Sequence, residues 1–187
     1  MKDLSLHLMD IVQNSITAGA DHISLNLSID QNPHWLICEI IDNGCGMEAE
    51  FLEKVTDPFK TTRTTRDVGL GLPLLKLSAE MTGGKLALES EPGKGTTVRA
   101  TFSIGHIDRI PLGDIPGTIT MLIATHPHIL WTVNFTSDRE SFILDTDTIK
   151  KELDDVPITH KDVLEWIQNT ISEGIRAVFG GVLDEVN

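Results

Sequence analysis

Asp10 and Asn14 stand one helical turn apart in "DIVQNSITAGA", so a helix through them presents a carboxylate and an amide oxygen to one site. That pair offers a base or water-orienting group beside a ligand for a hard cation such as magnesium. His7 and Thr17 fall in the same quadrant of the helix, so by themselves the four residues read first as the solvated face of an amphipathic helix. A second candidate is "IIDNGCGM", residues 40 to 47, where Asp42 leaves an apolar run and Gly44 and Gly46 follow. An acid at the exit of an apolar strand is partly desolvated and placed to accept from a ligand N–H, while the glycines let backbone come close. Asp-Asn-Gly is also ordinary turn chemistry. A third is "DPFKTTRTTRDVGLGLP", residues 57 to 73, where Lys60, Arg63 and Arg66 precede Gly69, Leu70 and Gly71 at the start of a helix. N–H groups at a helix N-terminus attract anions, and basic side chains among threonines such as Thr61 and Thr62 suit a segment that closes over a polyphosphate. The fourth, "PGKGTTV" at 92 to 98, reads on its own as a hairpin turn followed by β-prone threonines.

The elements that must position these groups are legible from periodicity. Leu8, Ile11, Val12 and Ile16 at helical spacing predict a first helix over 4 to 18, and the alternation in "HISLNLSID" predicts a strand over 22 to 30. "HWLICEIID" at 34 to 42 is nearly continuous in apolar residues and predicts a deeply buried second strand, joined to the first by a hairpin through Asn32 and Pro33. A helix through "LGLPLLKLSAEMTGG" and two strands, "KLALES" and "TTVRATFSI", complete an order of α-β-β-α-loop-α-β-β. Because the elements interleave without regular βαβ alternation, the fold class is α+β, a two-layer sandwich. "IDRIPLGDIPG", with its prolines and glycines, marks a boundary between residues 1–104 and a smaller α+β extension over 105–187. The extension is predicted to hold a helix near 115 to 125, strands in "HILWTVNF" and "SFILD", and a last helix. Thr159 and Asp162 resemble a capping box for that helix, and Leu164, Ile167, Ile171, Ile175 and Val178 form its stripe. Packing on the strands at 128 to 144 and a homodimer contact are alternative uses of that stripe.

Composition bounds the function classes. The 187 residues are 40% apolar with a net charge of −13, so a general footprint for nucleic acid or an anionic membrane is excluded and any phosphate must be met by local cations. Two cysteines are too few for a disulfide framework, and with no leader-like start or long apolar run the expected setting is cytoplasmic. Cys38 is expected in the core and Cys45 at a loop or pocket rim. His126 and His128 lack the further ligands that zinc requires.

Taken in order, these segments resemble the GHKL superfamily of ATP-binding domains, shared by sensor histidine kinases, anti-sigma-factor serine kinases, type II topoisomerases, a heat-shock chaperone and mismatch-repair ATPases. "DIVQNSITAGA" is similar to its N box, "DNGCGM" to its first glycine box, "DPFKTT" to its F box, "VGLGLPLL" to its second glycine box and "GKGTTV" to the last. The resemblance covers about residues 4 to 104. It implies a Bergerat-type sandwich of helices on a mixed sheet, binding ATP and magnesium beneath a lid that carries Lys60, Thr61, Thr62, Arg63 and Arg66. It further implies that Asn14 coordinates magnesium and Asp42 accepts the adenine amino proton. Gly44, Gly46, Gly69, Leu70 and Gly71 would shape the pocket, with Thr97 near the base. Asp10 stands where the ATPase branches carry Glu, one methylene longer, and Thr17 where the topoisomerase and mismatch-repair branches carry Asp, which leaves hydrolysis open. The compact lid is most similar to sensor kinases of the nitrogen-regulatory type. The expected activity is therefore kinase-like phosphoryl transfer to a partner protein, since no phosphoacceptor hairpin is seen ahead of the N box. A slow ATPase switch and a non-catalytic nucleotide sensor are the alternatives.

Overall fold

The computed structural model describes residues 3–30, 34–55, 70–180 and 182–183. Its elements, in chain order, are α1 (Leu4–Thr17), β1 (His22–Asp30), β2 (Trp35–Asp42), α2 (Ala49–Val55), α3 (Gly71–Met81), β3 (Leu86–Glu91), β4 (Gly95–Ser103), α4 (Ile115–Thr125), β5 (Leu130–Thr136), β6 (Ser141–Asp145), α5 (Thr146–Leu153) and α6 (Lys161–Phe179). The strands form one mixed sheet in the order β3-β4-β2-β1-β5-β6, in which only β1 and β5 run parallel. Helices cover one face, with α3 against α1, α1 against α4 and α4 against α6. This is the expected α+β two-layer sandwich on a mixed sheet.

Strand alternation decides the core. Ile23, Leu25, Leu27 and Ile29 of β1 point to the helices, and so do their register partners Ile40, Cys38 and Leu36 on β2 and Trp131, Val133 and Phe135 on β5. The deep burial expected for the whole of β2 is therefore corrected. Ile37 and Glu39 are half-buried and Ile41 is exposed, because the opposite face of a two-layer sandwich carries no second helix layer. That outer face is held by a polar ladder: Asn134 Nδ2 donates to Asn26 Oδ1 at 2.8 Å, Asn26 Nδ2 to Glu39 Oε2 at 3.2 Å, and Arg99 Nη1 to Glu39 Oε1 at 3.4 Å.

Residues beyond 104 continue the same sheet, since β5 hydrogen-bonds directly to β1. α6 lies close on β6 because Gly174 sets no side chain against the Phe142 ring, where a Cβ would stand 2.6 Å away. Of the two uses left open for its apolar stripe, packing within the chain is the one seen: α6 lies on β5, β6 and α4, with Ile167, Ile171 and Val178 buried. Its N-cap is His160 rather than the expected Thr159: the helix starts one residue later, and the His160 ring nitrogen accepts from the Asp162 N–H at 3.3 Å. Arg109, only 5% exposed, ties this end together by donating to the carbonyls of Ile104 (3.0 Å), Ile110 (3.4 Å) and Leu183 (3.1 Å). No helix among the described residues is long and apolar enough to cross a membrane.

Candidate functional site

α1 begins where Asp3 accepts from the Leu6 N–H at 3.0 Å, and Leu4, Leu8, Ile11 and Ser15 then face the sheet. His7, Asp10 and Asn14 follow on the flank next to α3. A Cβ at Gly71 would stand 2.9 Å from the Asp10 Cβ, so glycine is what lets the first turn of α3 rest against that acid. One turn further, His7 Nε2 and Ser78 Oγ are 3.4 Å apart.

The reading of this stripe as a solvated face is corrected at His7. That side chain is fully buried, because α3 packs over it, and its Nδ1 has no hydrogen-bond partner among the described residues. Burial disfavours the imidazolium, so the His7 pKa lies below the usual histidine value of 6.5. As pH falls through that value the unfolded chain takes up a proton that the folded chain refuses, so stability is present above it and lost below it. Acidification from pH 7.5 to 5.5 is thus expected to destabilise the wild type more than a His7→Gln variant, by at most about 1.4 kcal/mol per pH unit. Parallel urea-melt profiles for the two proteins across that range would contradict this assignment.

β2 delivers Asp42 to the mouth of the same flank. Asp42 is 7% exposed, and both of its oxygens are engaged: Ser15 Oγ donates to Oδ2 at 2.6 Å and the Gly44 N–H donates to Oδ1 at 2.9 Å. The loop that follows is stitched on both sides. Asn43 accepts from the N–H groups of Asp21 and His22, the Cys45 N–H donates to the Ala18 carbonyl, and the Gly93 N–H donates to the Cys45 carbonyl. Gly46, at φ +67°, has its backbone so near the β3–β4 turn that a Cβ would collide with the Glu91 carbonyl. Gly44 is confined less tightly, 2.9 Å from the Ala18 Cβ at the position a Cβ would take.

These elements enclose a cavity of about 420 Å³, within the range of small-ligand sites. Its walls are apolar, from Ile11, Phe51, Val55, Leu72 and Val98, and Asn14, Asp42 and Thr96 supply polar groups. An apolar cavity with a buried carboxylate suits a heteroaromatic ring that carries an N–H donor. Asn14 offers the hard oxygen ligand that magnesium favours.

The structure brings together Asn14, Asp42 and Gly46 at the cavity, with Gly44 against Asp42, whereas Asp10 is exposed beside Gly71 and is not among the described residues that line the cavity. Gly71 is buried against Asp10, and Leu70 is 64% exposed at the N-cap of α3. Lys60, Thr61, Thr62, Arg63, Arg66 and Gly69 lie outside the described residues. Thr97 is corrected: it pairs with Ile41 and Glu89 on the outer face of the sheet, and its neighbour Thr96 lines the cavity instead. Side chains alternate along a strand, so a one-residue difference in register changes the face. The motifs do not single out Ser15, which donates to Asp42, although its position in line with Leu8 and Ile11 places it toward the sheet. Cys45 lines the rim of the cavity, and Cys38 is buried in the core, its thiol pushed up to about 12 chiefly by burial.

Comparisons with known proteins agree with this geometry. The sequence model of the family described as histidine kinase-, DNA gyrase B-, and HSP90-like ATPase matches residues 2–106. Sensor kinase CckA of Brucella abortus is 39% identical over 82 residues, covering 43% of this chain and 9% of the relative. The non-motile and phage-resistance protein of Caulobacter vibrioides is 31% identical over 111 residues, 54% of this chain and 13% of the relative. Sporulation kinase D of Bacillus subtilis is 29% identical over 97 residues, 52% of this chain and 19% of the relative. The chain thus spans less than a fifth of each of these relatives. Among solved structures, the N-terminal domain of a DNA repair protein superposes with a TM-score of 0.53 at 18% identity, covering 78% of this chain and 53% of that one.

Proposed function

The chain belongs to the histidine kinase-, DNA gyrase B-, and HSP90-like ATPase family, and from that premise we propose that it binds magnesium-ATP and passes the γ-phosphoryl group to an acceptor on a partner protein. The observation that carries this reading is the Asp42 end of the cavity. A buried carboxylate there, oriented by Ser15 and the Gly44 N–H, closes an apolar slot and accepts from the amine of an adenine ring. Asn14, on the cavity wall, would hold the magnesium, which when bound would neutralise phosphate charge. Gly46 lets the cavity rim pack against the β3–β4 turn and Gly71 lets α3 rest against Asp10, and the lid residues Lys60, Thr61, Thr62, Arg63 and Arg66 offset the triphosphate charge. The kinase names of similar proteins support phosphoryl transfer, and the acceptor on a partner protein and a cytoplasmic setting, where ATP is supplied, are part of the same proposal.

A second reading has one observation in its favour. Asp10 sits against Gly71 at the root of α3, where a carboxylate that orients water also senses the lid-bearing helix, so slow hydrolysis would act as a conformational switch. Calorimetric titration with magnesium-ATP, followed by phosphate release and by radiolabel transfer to cell extract, separates the two. Binding with label transferred to a protein is expected. Phosphate release that falls at least tenfold in Asp10→Asn, without any labelled acceptor, would favour the switch, and a folded chain that does not bind ATP would defeat both.

A further inference from the structure

Ser90, on β3, lies outside every glycine-rich motif and is not among the described residues that line the cavity. It nevertheless makes three contacts that fix a proton. The Met47 N–H reaches Ser90 Oγ at 2.9 Å, Ser90 Oγ reaches the Gly95 carbonyl at 2.9 Å, and Ser90 Oγ and Thr96 Oγ1 are 2.9 Å apart. A hydroxyl has one proton and two lone pairs, a backbone N–H only donates and a carbonyl only accepts. Only one assignment satisfies all three contacts: Ser90 donates to Gly95 and accepts from both Met47 and Thr96. Thr96 then has no proton left, and it turns lone pairs alone toward the cavity that it lines.

The same holds beside it. Ser15 directs its proton to Asp42 at 2.6 Å, and the carboxylate itself only accepts. The polar wall made by Asp42 and Thr96 is therefore acceptor-only. Such a wall accepts from a 6-amino group, whereas a 6-oxo group in the same place meets lone pairs on both Asp42 and Thr96 and finds a donor on neither, whatever its neighbouring N1–H can offer.

We propose that Ser90 is a positioning residue for base specificity: by holding the Thr96 proton it keeps this wall acceptor-only, so that the site selects a 6-aminopurine nucleotide over its 6-oxo counterpart. The proposal rests on the nucleotide-binding reading and deepens it. Without the Ser90 hydroxyl, Thr96 rotates freely and donates to a carbonyl as readily as it accepts from an amine. The preference then drops although Asp42 is untouched.

The test compares dissociation constants for magnesium complexes of ATP and inosine triphosphate, measured by calorimetry on the full chain. Ser90→Ala is expected to shrink the ATP preference about tenfold, the worth of one hydrogen bond, and Ser90→Thr to restore it. In a Thr96→Val background, Ser90→Ala should leave the ratio unchanged, since Ser90 acts through Thr96. Ser90→Cys fills the same space with a poor acceptor and takes the place of Ser90→Ala if thermal melts show that the latter does not fold. Equal weakening of both nucleotides, an unaltered ratio, or a ratio change that persists in the Thr96→Val background would overturn the role of Ser90 while leaving nucleotide binding intact. Failure of the wild type to bind either nucleotide would instead overturn the reading on which it rests.

Discussion

Asp42→Asn is expected to weaken ATP binding about 100-fold, roughly 3 kcal/mol, while leaving the fold intact. The side chain has almost no contact with solvent, and its two oxygens already accept from Ser15 and from the Gly44 N–H. In the amide one oxygen becomes a donor. Ser15 can rotate to accept from it, so the native structure tolerates the change at a cost of about 1 kcal/mol, the scale of a single hydrogen bond. The ligand has no such freedom. It loses a hydrogen bond to a charged acceptor, worth about 1.5–3 kcal/mol, and its amine meets an N–H in place of a lone pair. Calorimetry on the variant, with a thermal melt as control, measures both effects. An affinity within threefold of the wild type would remove Asp42 from the base-binding role.

Trp131→Ala is expected to cost about 3–5 kcal/mol of folding stability, the range for truncating a buried aromatic side chain. Trp131 is fully buried on β5, opposite Ile23 of β1. Its backbone N–H donates to Thr146 Oγ1 at 2.8 Å and its indole N–H to the His126 carbonyl at 3.3 Å. Because β5 pairs directly with β1, the loss should be felt by the sheet that carries Asp42 as much as by residues 105–187. Urea unfolding of the wild type is expected to be a single transition, with tryptophan fluorescence and circular dichroism coinciding. A variant in which residues 105–187 melt first while ATP binding survives would instead mark 1–104 and 105–187 as independent units.

Much of the site was legible because its signals are local. Asp10 and Asn14 belong together by helical spacing, and Asp42 announces itself as an acid after an apolar run. Gly44 and Gly46 sit where backbone must approach backbone, and the structure shows the reason in the nearness of Ala18 and of the β3–β4 turn. The residues that were misread or missed depend on partners far away in the chain. His7 belongs to a polar stripe in sequence, but α3, more than sixty residues later, covers it. Thr96 and Thr97 are interchangeable in a string of letters and opposite in a sheet. Ser15 and Ser90 look like ordinary small polar residues until the donors and acceptors around them are counted.

Most helices and strands, the α+β class and the order of the motifs could be read from the residues alone, because each follows from periodicity and turn chemistry within a short window. That β5 joins β1 in parallel, that Thr96 rather than Thr97 faces the cavity, and that Ser15 and Ser90 hydrogen-bond to its polar wall emerged from the folded arrangement. These outcomes depend on strand register and on where each hydroxyl proton can go, and both are settled between segments that meet only when the chain has folded.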